Sequence, residues 1–379
     1  MFSDHEKKCI REYKYCGTDD SLLINYGYKQ VLEQFVKIVP LWISPNAITL
    51  FGFILEIVSF FISFVVSNQM EKPIPSWCCI MNGVCTLVYQ FMDNLDGKQA
   101  RRTQMSSPLG QFFDHGCDAI ADITLVCKSI MAVGFGNCKK SLHYLIFFTF
   151  GFLITNWEEY MNHKFHLGIL NGADEGIFFL GVSQVLIGLY PSLIQTYNSP
   201  IFSAIFIIMV TITVLIVLIG VIKENKNKKG AVVKGVQSLS PGLYCLLLAV
   251  YLSTKMENKL SPYFILSSGL LIQFGAQHMI IAIISGKPPV KLLSLSFVFA
   301  ALTETLPLVF KSLITLNGFW QIQSLLVFGL MIICDVRVIQ SLKKILGIPV
   351  FKVKKMKPVA LESKPVIQTP RSLTKQMAY

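Results

Sequence analysis

The stretch FMDNLDGKQARRTQMSSPLGQFFDHGCDAI, Phe91 to Ile120, decides how this chain is read. It sets Asp93, Asp96, Asp114 and Asp118 beside apolar runs long enough for lipid. An ionisable side chain at membrane depth costs roughly 2.5–3.5 kcal/mol on insertion scales, so four together point to function. Asp93 and Asp96 stand three residues apart at the end of one run, and Asp114 and Asp118 four apart at the start of the next. At helical spacing each pair lies on one side of its helix. A tight connection between the runs brings the two pairs face to face.

Outward from that stretch, the chain of 379 residues is 53% hydrophobic and only 15% charged. Soluble domains carry about 25% charged residues. With repeated runs of roughly 18 apolar residues or more, this predicts an all-α integral membrane protein. About ten transmembrane helices are expected, near 47–68, 76–94, 111–137, 142–157, 174–193, 199–222, 239–254, 262–285, 291–314 and 318–342. Ahead of them SLLINYGYKQVLEQFVKIVPLWI mixes apolar and charged residues and predicts an N-terminal interfacial amphipathic helix. The expected division is a cytosolic segment with that helix over 1–46, a catalytic transmembrane part over 47–222 and a basic cytosolic loop over 223–238. A C-terminal transmembrane part over 239–346 and a basic cytosolic tail over 347–379 follow. The opening MFSDHEKKCIREYKYCGTDD has no apolar leader run.

The net charge of +12 would hint at nucleic acid in a soluble protein. Here lysines crowd alternate loops, and the positive-inside rule then puts both termini in the cytosol. No nucleic-acid partner is expected. The ten cysteines are scattered without a CxxC pair and read as small apolar helix residues. Trp42, Trp77 and Trp157 fall at span ends, where an aromatic belt accounts for them.

Four converging carboxylates repel one another unless a cation joins them. Oxygen ligands without Cys or His favour Mg²⁺ or Mn²⁺. Two such ions about 3.5–4 Å apart suit a phosphoryl-type displacement. Gly97, Ala100 and Gly110 lack bulk on the same turns, leaving room for a nucleotide or a helix. Arg101 is a natural partner for a phosphate oxygen. A purely structural cluster neutralised by Lys98, Arg101 and Arg102 would not need the paired spacing and the small residues together.

Asp93-x-x-Asp96-Gly97-x-x-Ala100-Arg101-x(8)-Gly110-x(3)-Asp114-x(3)-Asp118 resembles, without a departure, the signature of the CDP-alcohol phosphatidyltransferase family. The resemblance implies displacement of CMP from a CDP-linked substrate at a metal site held by the four aspartates. DGKQARRT, SSPLGQFFDHGCDA, WISPNAIT, NWEEY and NGADEG are similar to the choline/ethanolaminephosphotransferase branch. That branch implies CDP-choline or CDP-ethanolamine as donor and diacylglycerol as acceptor, in the endoplasmic reticulum or Golgi membrane. Homodimers are common in the family.

His115 adjoins Asp114, and the resemblance makes it the general base; a neutral imidazole suits that work. The resemblance makes Glu175 its orienting partner, although by position alone Glu175 also reads as an acid at a helix N-terminus. Asn46 reads as a helix cap, and the PN-x-x-T resemblance implies a nucleotide contact. Gln111 lies one turn before His115, where it would meet the CDP moiety; Asp122 would line the site. Glu158 and Glu159 read as interfacial, with one near the head group. His278, Glu304 and Asp335 read as buried residues with a helix partner. Two alternatives remain open: a CDP-diacylglycerol-dependent enzyme such as a phosphatidylinositol synthase, and a cation-binding transporter. A transporter would more often repeat its carboxylate cluster in a second half, and none recurs after residue 180.

Overall fold

Helix boundaries follow the capping chemistry of the chain. The computed structural model describes residues 2–228, 230–288 and 316–353. The first helix, α1 (Asp4–Glu12), opens on a capping box: Ser3 Oγ accepts from Glu6 N, and the Glu6 carboxylate accepts from Ser3 N. After strand β1 (Gly17–Asp19) and a π-helical stretch (Leu23–Tyr28) comes α2 (Lys29–Ile38). Proline stands at the start of both α3 (Pro45–Val66) and α5 (Pro108–Val133), where its missing N–H costs nothing. Between them lies α4 (Ser76–Thr103). Then follow α6 (Lys139–Asn162), strand β2 (Phe165–Leu167), a second π-helical stretch (Gly172–Gly176) and α7 (Ile177–Leu189). The chain continues through α8 (Leu193–Asn198), α9 (Pro200–Asn225), α10 (Ala231–Lys255), α11 (Pro262–Ser285) and α12 (Leu316–Leu346).

Six helical segments are long and apolar enough to cross a membrane among the described residues: Pro45–Val66, Gly172–Leu189, Ile207–Asn225, Val233–Lys255, Pro262–Ser285 and Asn317–Leu346. Helices α4, α5 and α6 coincide with three further expected spans without meeting that composition, because α4 and α5 carry the charged residues at issue. The expected span 291–314, with Glu304, lies outside the described residues, as does the tail from 354. The described residues therefore show a multi-helix membrane protein and do not reach the expected ten spans. The described residues are otherwise mostly helical, as an all-α membrane protein requires; the one small strand pairing is of two three-residue strands, β1 and β2, in parallel, Gly17 opposite Phe165 and Asp19 opposite Leu167.

Close backbone approach fixes how the inner helices meet. A Cβ on Gly83 of α4 would stand 2.5 Å from the carbonyl oxygen of Gly181 on α7. One on Gly188 would stand 2.7 Å from Ser76 O. Small residues let these helices touch along their length, as membrane helices commonly do. On the other side of α4, a charge pair crosses the core. Lys128 Nζ of α5 lies 2.5 Å from Glu56 Oε2 of α3, both side chains fully buried, with Ser59 Oγ 3.0 Å and Asn82 O 3.4 Å from the ammonium. Thr124 and Thr86 donate to the same carboxylate. Burying two charges is favourable only when the remaining hydrogen bonds are made, and here they are.

The N-terminal segment covers one end of the bundle. Ile10 of α1 packs with Leu109, Phe112, Ile280, Ile284, Val338 and Leu342. Glu6 lies 3.1 Å from Lys287. Helix α2 buries Leu32 against Ile48 and Leu95 while Val31, Phe35 and Ile38 stay exposed. Arg102 reaches from α4 to the carbonyls of Val36, Lys37 and Val39, holding the C-terminal end of α2. Trp157, expected at a membrane boundary, is buried instead and donates to Gly235 O of α10 at 2.9 Å.

Candidate active site

The connection between α4 and α5 is as tight as the paired spacing requires. Gln104 takes a left-handed conformation at φ 54°, and Met105 N closes on Ala100 O at 2.8 Å. Ser107 then caps α5 by accepting from Gly110 N at 3.2 Å. This turn brings Asp93 of α4 to Asp114 and Asp118 of α5, with carboxylate oxygens all within 4.8 Å of one another. Asp93 Oδ1 and Asp114 Oδ1 are buried without a hydrogen-bond partner. Asp96 is buried beside them and accepts from Thr49 Oγ1 of α3, while Asp118 accepts from the Tyr89 hydroxyl. No ion pair between a Lys or Arg and any of the four aspartates forms among the described residues. An oxygen-only set with orphaned, facing carboxylate atoms fits a hard divalent cation.

The small residues leave room that the protein does not fill. A Cβ on Gly97 would meet only Arg101 Nη1, at 3.5 Å. One on Gly110 would meet Ser107 Oγ at 3.6 Å and Asn46 Oδ1 at 3.7 Å. These are ordinary contacts, so the chain's own packing does not demand glycine at either place. Ala100 is half-buried one turn before the end of α4, and Arg101 is exposed with its guanidinium over Gly97. Asn46 is buried at the start of α3, where Nδ2 donates to Val350 O at 2.9 Å.

His115 is buried on α5 with Nδ1 lacking a partner; Asn156 lies beside it, and the Phe165 ring stands 5.2 Å from the imidazole. The expected pairing of His115 with Glu175 is not what the structure holds. Glu175 accepts from Ser21 Oγ at 2.7 Å, Leu23 N at 3.0 Å and Asn171 N at 2.9 Å. These three donors occupy the carboxylate and turn it toward the N-terminal segment. The neighbouring Asp174 faces the bundle, accepting from Asn94 Nδ2 at 3.4 Å and Asn171 Nδ2 at 3.2 Å.

Gln111, one turn before His115, donates to Glu159 Oε1 at 2.9 Å. Tyr13 donates to the same oxygen at 3.3 Å, and Glu159 Oε2 is buried with no partner. Burial, with the Glu159 carboxylate beside it, raises the Tyr13 hydroxyl above its ordinary range. Tyr15 lies within electrostatic reach of Glu159, Asp114 and Arg101. Thr49, Tyr89, Tyr13 and Glu159 thus join the site; of these, Glu159 and the threonine of the PN-x-x-T stretch had a sequence signal.

A family profile described as CDP-alcohol phosphatidyltransferase matches residues 42–166, which span α3 to β2 and hold all four aspartates. Choline/ethanolaminephosphotransferase 1 of Arabidopsis thaliana is 32% identical over 313 residues, covering 75% of this chain and 79% of the relative. Choline/ethanolaminephosphotransferase 2 of the same plant is 31% identical over 391 residues, covering 92% and 97%. Cholinephosphotransferase 1 of Xenopus laevis is 31% identical over 273 residues, covering 68% and 67%. With near-complete coverage at that identity, and the gapped aspartate signature intact on two facing helices, this chain belongs to the CDP-alcohol phosphatidyltransferase family.

Proposed function

We propose that the protein transfers phosphocholine or phosphoethanolamine from the CDP-alcohol to diacylglycerol, giving phosphatidylcholine or phosphatidylethanolamine and CMP. The observation that carries this is the convergence of Asp93, Asp114 and Asp118 to within 4.8 Å, with orphaned buried oxygens and the exposed Arg101 at hand. The names of the relatives support the choice of donor and acceptor over the CDP-diacylglycerol alternative. Membership of the family leaves the transporter reading without support.

Asp93, Asp96, Asp114 and Asp118 would hold the metal, Mg²⁺ or Mn²⁺ and two ions by the chemistry of the set. When bound, the metal supplies positive charge against the diphosphate. The residues of the chain do the rest. Arg101 binds a phosphate oxygen from the open side of Gly97. Asn46 and Gly110 flank the nucleotide, and Gln111 holds the Glu159 carboxylate that, with Tyr13 and Tyr15, faces the cationic head group. The acceptor hydroxyl gives its proton to His115 Nδ1 as its oxygen bonds to the β-phosphorus; the bond to the bridging oxygen breaks and CMP leaves with that electron pair. Glu175 fastens the N-terminal segment over the site.

The part over 47–222 carries the chemistry and the part over 239–346 completes the membrane body. Helix α2 lies at the bilayer interface with Val31, Phe35 and Ile38 toward lipid. Both ends of the chain lie in the cytosol, in the endoplasmic reticulum or Golgi membrane, and the protein works as a homodimer. Purified protein with Mg²⁺ or Mn²⁺, diacylglycerol and either CDP-choline or CDP-ethanolamine should release CMP; folded material inert with both donors overturns the reading.

A further inference from the structure

Helices α11 and α12 lie outside the matched segment, yet both pack on α5 and bring buried polar groups with them. Gln273 Nε2 donates to Asp122 Oδ2, and Gln277 Nε2 donates to Asp335 Oδ2 at 3.0 Å. Gln273 and Gln277 are one turn apart on α11 and 0% and 1% exposed. Each amide nitrogen is committed to a carboxylate, which turns each amide oxygen away from it. Gln273 Oε1, Gln277 Oε1 and Asp335 Oδ1 are buried with no hydrogen-bond partner among the described residues.

This polar seam runs into the aspartate site. Asp122, which holds Gln273, stands one helical turn beyond Asp118 on α5. The start of α5 packs on the end of α11, Leu109 and Phe112 with Ile280, Ile281 and Ile284; at 1.5 Å per helical residue, His115 lies about 10 Å in from the first and Gln277 about 12 Å in from the second. They stand at one depth. Pairing between helices explains the two amide nitrogens, but it leaves three acceptors buried without donors. Buried polar atoms are nearly always partnered, so such a set marks the place of an absent donor.

Gln273 Oε1, Gln277 Oε1 and Asp335 Oδ1 are all acceptors, so what they lack is a hydroxyl or an ammonium. The ammonium of the CDP-alcohol has Glu159, Tyr13 and Tyr15, under the N-terminal segment at the end where α5 begins. With the nucleotide and its hydroxyls flanked by Asn46 and Gly110, the hydroxyl of the acceptor is the donor left for these three oxygens. We infer that Gln273, Gln277 and Asp335 seat the lipid alcohol and orient its hydroxyl toward His115, so that α11 and α12 decide which acceptor is used. This rests on the phosphotransferase reading above.

The test varies diacylglycerol in mixed micelles at saturating CDP-alcohol, and CDP-alcohol at saturating diacylglycerol, for the full-length protein, Gln273→Leu, Gln277→Leu and Asp335→Leu. The diacylglycerol mole fraction for half-maximal rate should rise about fivefold in each variant, the size of one lost hydrogen bond, with KM for CDP-alcohol held within about twofold. Asp335→Asn, which keeps an acceptor oxygen, should shift it less than Asp335→Leu. A glutamine-to-leucine variant that does not fold is replaced by Gln273→Met or Gln277→Met, of similar length. Unchanged diacylglycerol dependence, or equal loss in both KM values, overturns the seam. A folded wild type that releases no CMP with any lipid alcohol overturns the phosphotransferase reading, and the seam falls with it.

Discussion

The Tyr89 hydroxyl donates to Asp118 Oδ1 from inside the α4–α5 interface, and Tyr89 is itself 2% exposed. One of the converging carboxylates is therefore held in place by a side chain that cannot swing away. Tyr89→Phe keeps the ring against Ala121 and Leu125 and removes only the hydroxyl. The metal concentration for half-maximal CMP release should rise roughly 10–100-fold, as is usual when a ligand's outer hydrogen bond is lost. A metal titration with unchanged midpoint removes Tyr89 from the site.

His115→Ala should lower turnover by about 10²–10⁴-fold, the range for a lost general base. Binding of CDP-alcohol, measured by calorimetry or ligand-induced thermal shift, should stay near wild type. Lost binding with intact residual turnover would move His115 to the substrate wall.

Glu175 separates two roles by pH. As a fastener of Ser21 and Leu23, its replacement by Gln should lower kcat and quicken proteolysis in residues 13–21, with the pH profile of kcat unmoved. As a partner of the imidazole it would shift the acid limb of that profile instead.

Lys128→Met leaves the Glu56 carboxylate buried and unpaired, and should cost about 3–5 kcal/mol, read as a fall in the unfolding temperature in detergent. Glu56→Gln together with Lys128→Met should recover most of that loss. If the double variant is no better than Lys128→Met, the two residues do not act as a pair.

Chelation should abolish CMP release and metal readdition restore it. Asp93→Asn should raise the metal requirement, because it removes one of the three facing carboxylates. Activity that persists in excess chelator contradicts the metal assignment.

The aspartate site was legible in the sequence because helical period alone orients Asp93 with Asp96 and Asp114 with Asp118. Tyr89 was not, since it reaches Asp118 from a neighbouring turn and is a common residue type with no spacing of its own; Thr49 stands in the PN-x-x-T stretch, but only the packing of α3 on α4 brings it to Asp96. The Glu56–Lys128 pair escaped notice for a different reason. In apolar runs one acid and one base average away, and only the packing of α3 on α5 reveals that they meet. Helix α1 did leave a signal, the Ser3–Glu6 capping box, in a stretch too charged to suggest a span. The two strands left none, because three residues carry no periodicity and their pairing is set by the turn of the chain after α6. Glu175 lies in the π-helical stretch ahead of α7, and its carboxylate faces partners near residue 21 that no local pattern points to.

The parallel pair of β1 and β2 also orders events during synthesis. Gly17–Asp19 leave the ribosome long before Phe165–Leu167, and at 5–20 residues per second the wait is roughly 7–30 s. Through that interval α3 to α6 can insert and find one another with the aspartate end uncovered. The strand pair can close over it only once residue 167 has emerged, so a nascent chain stalled before residue 165 would hold its carboxylates open to water and ions.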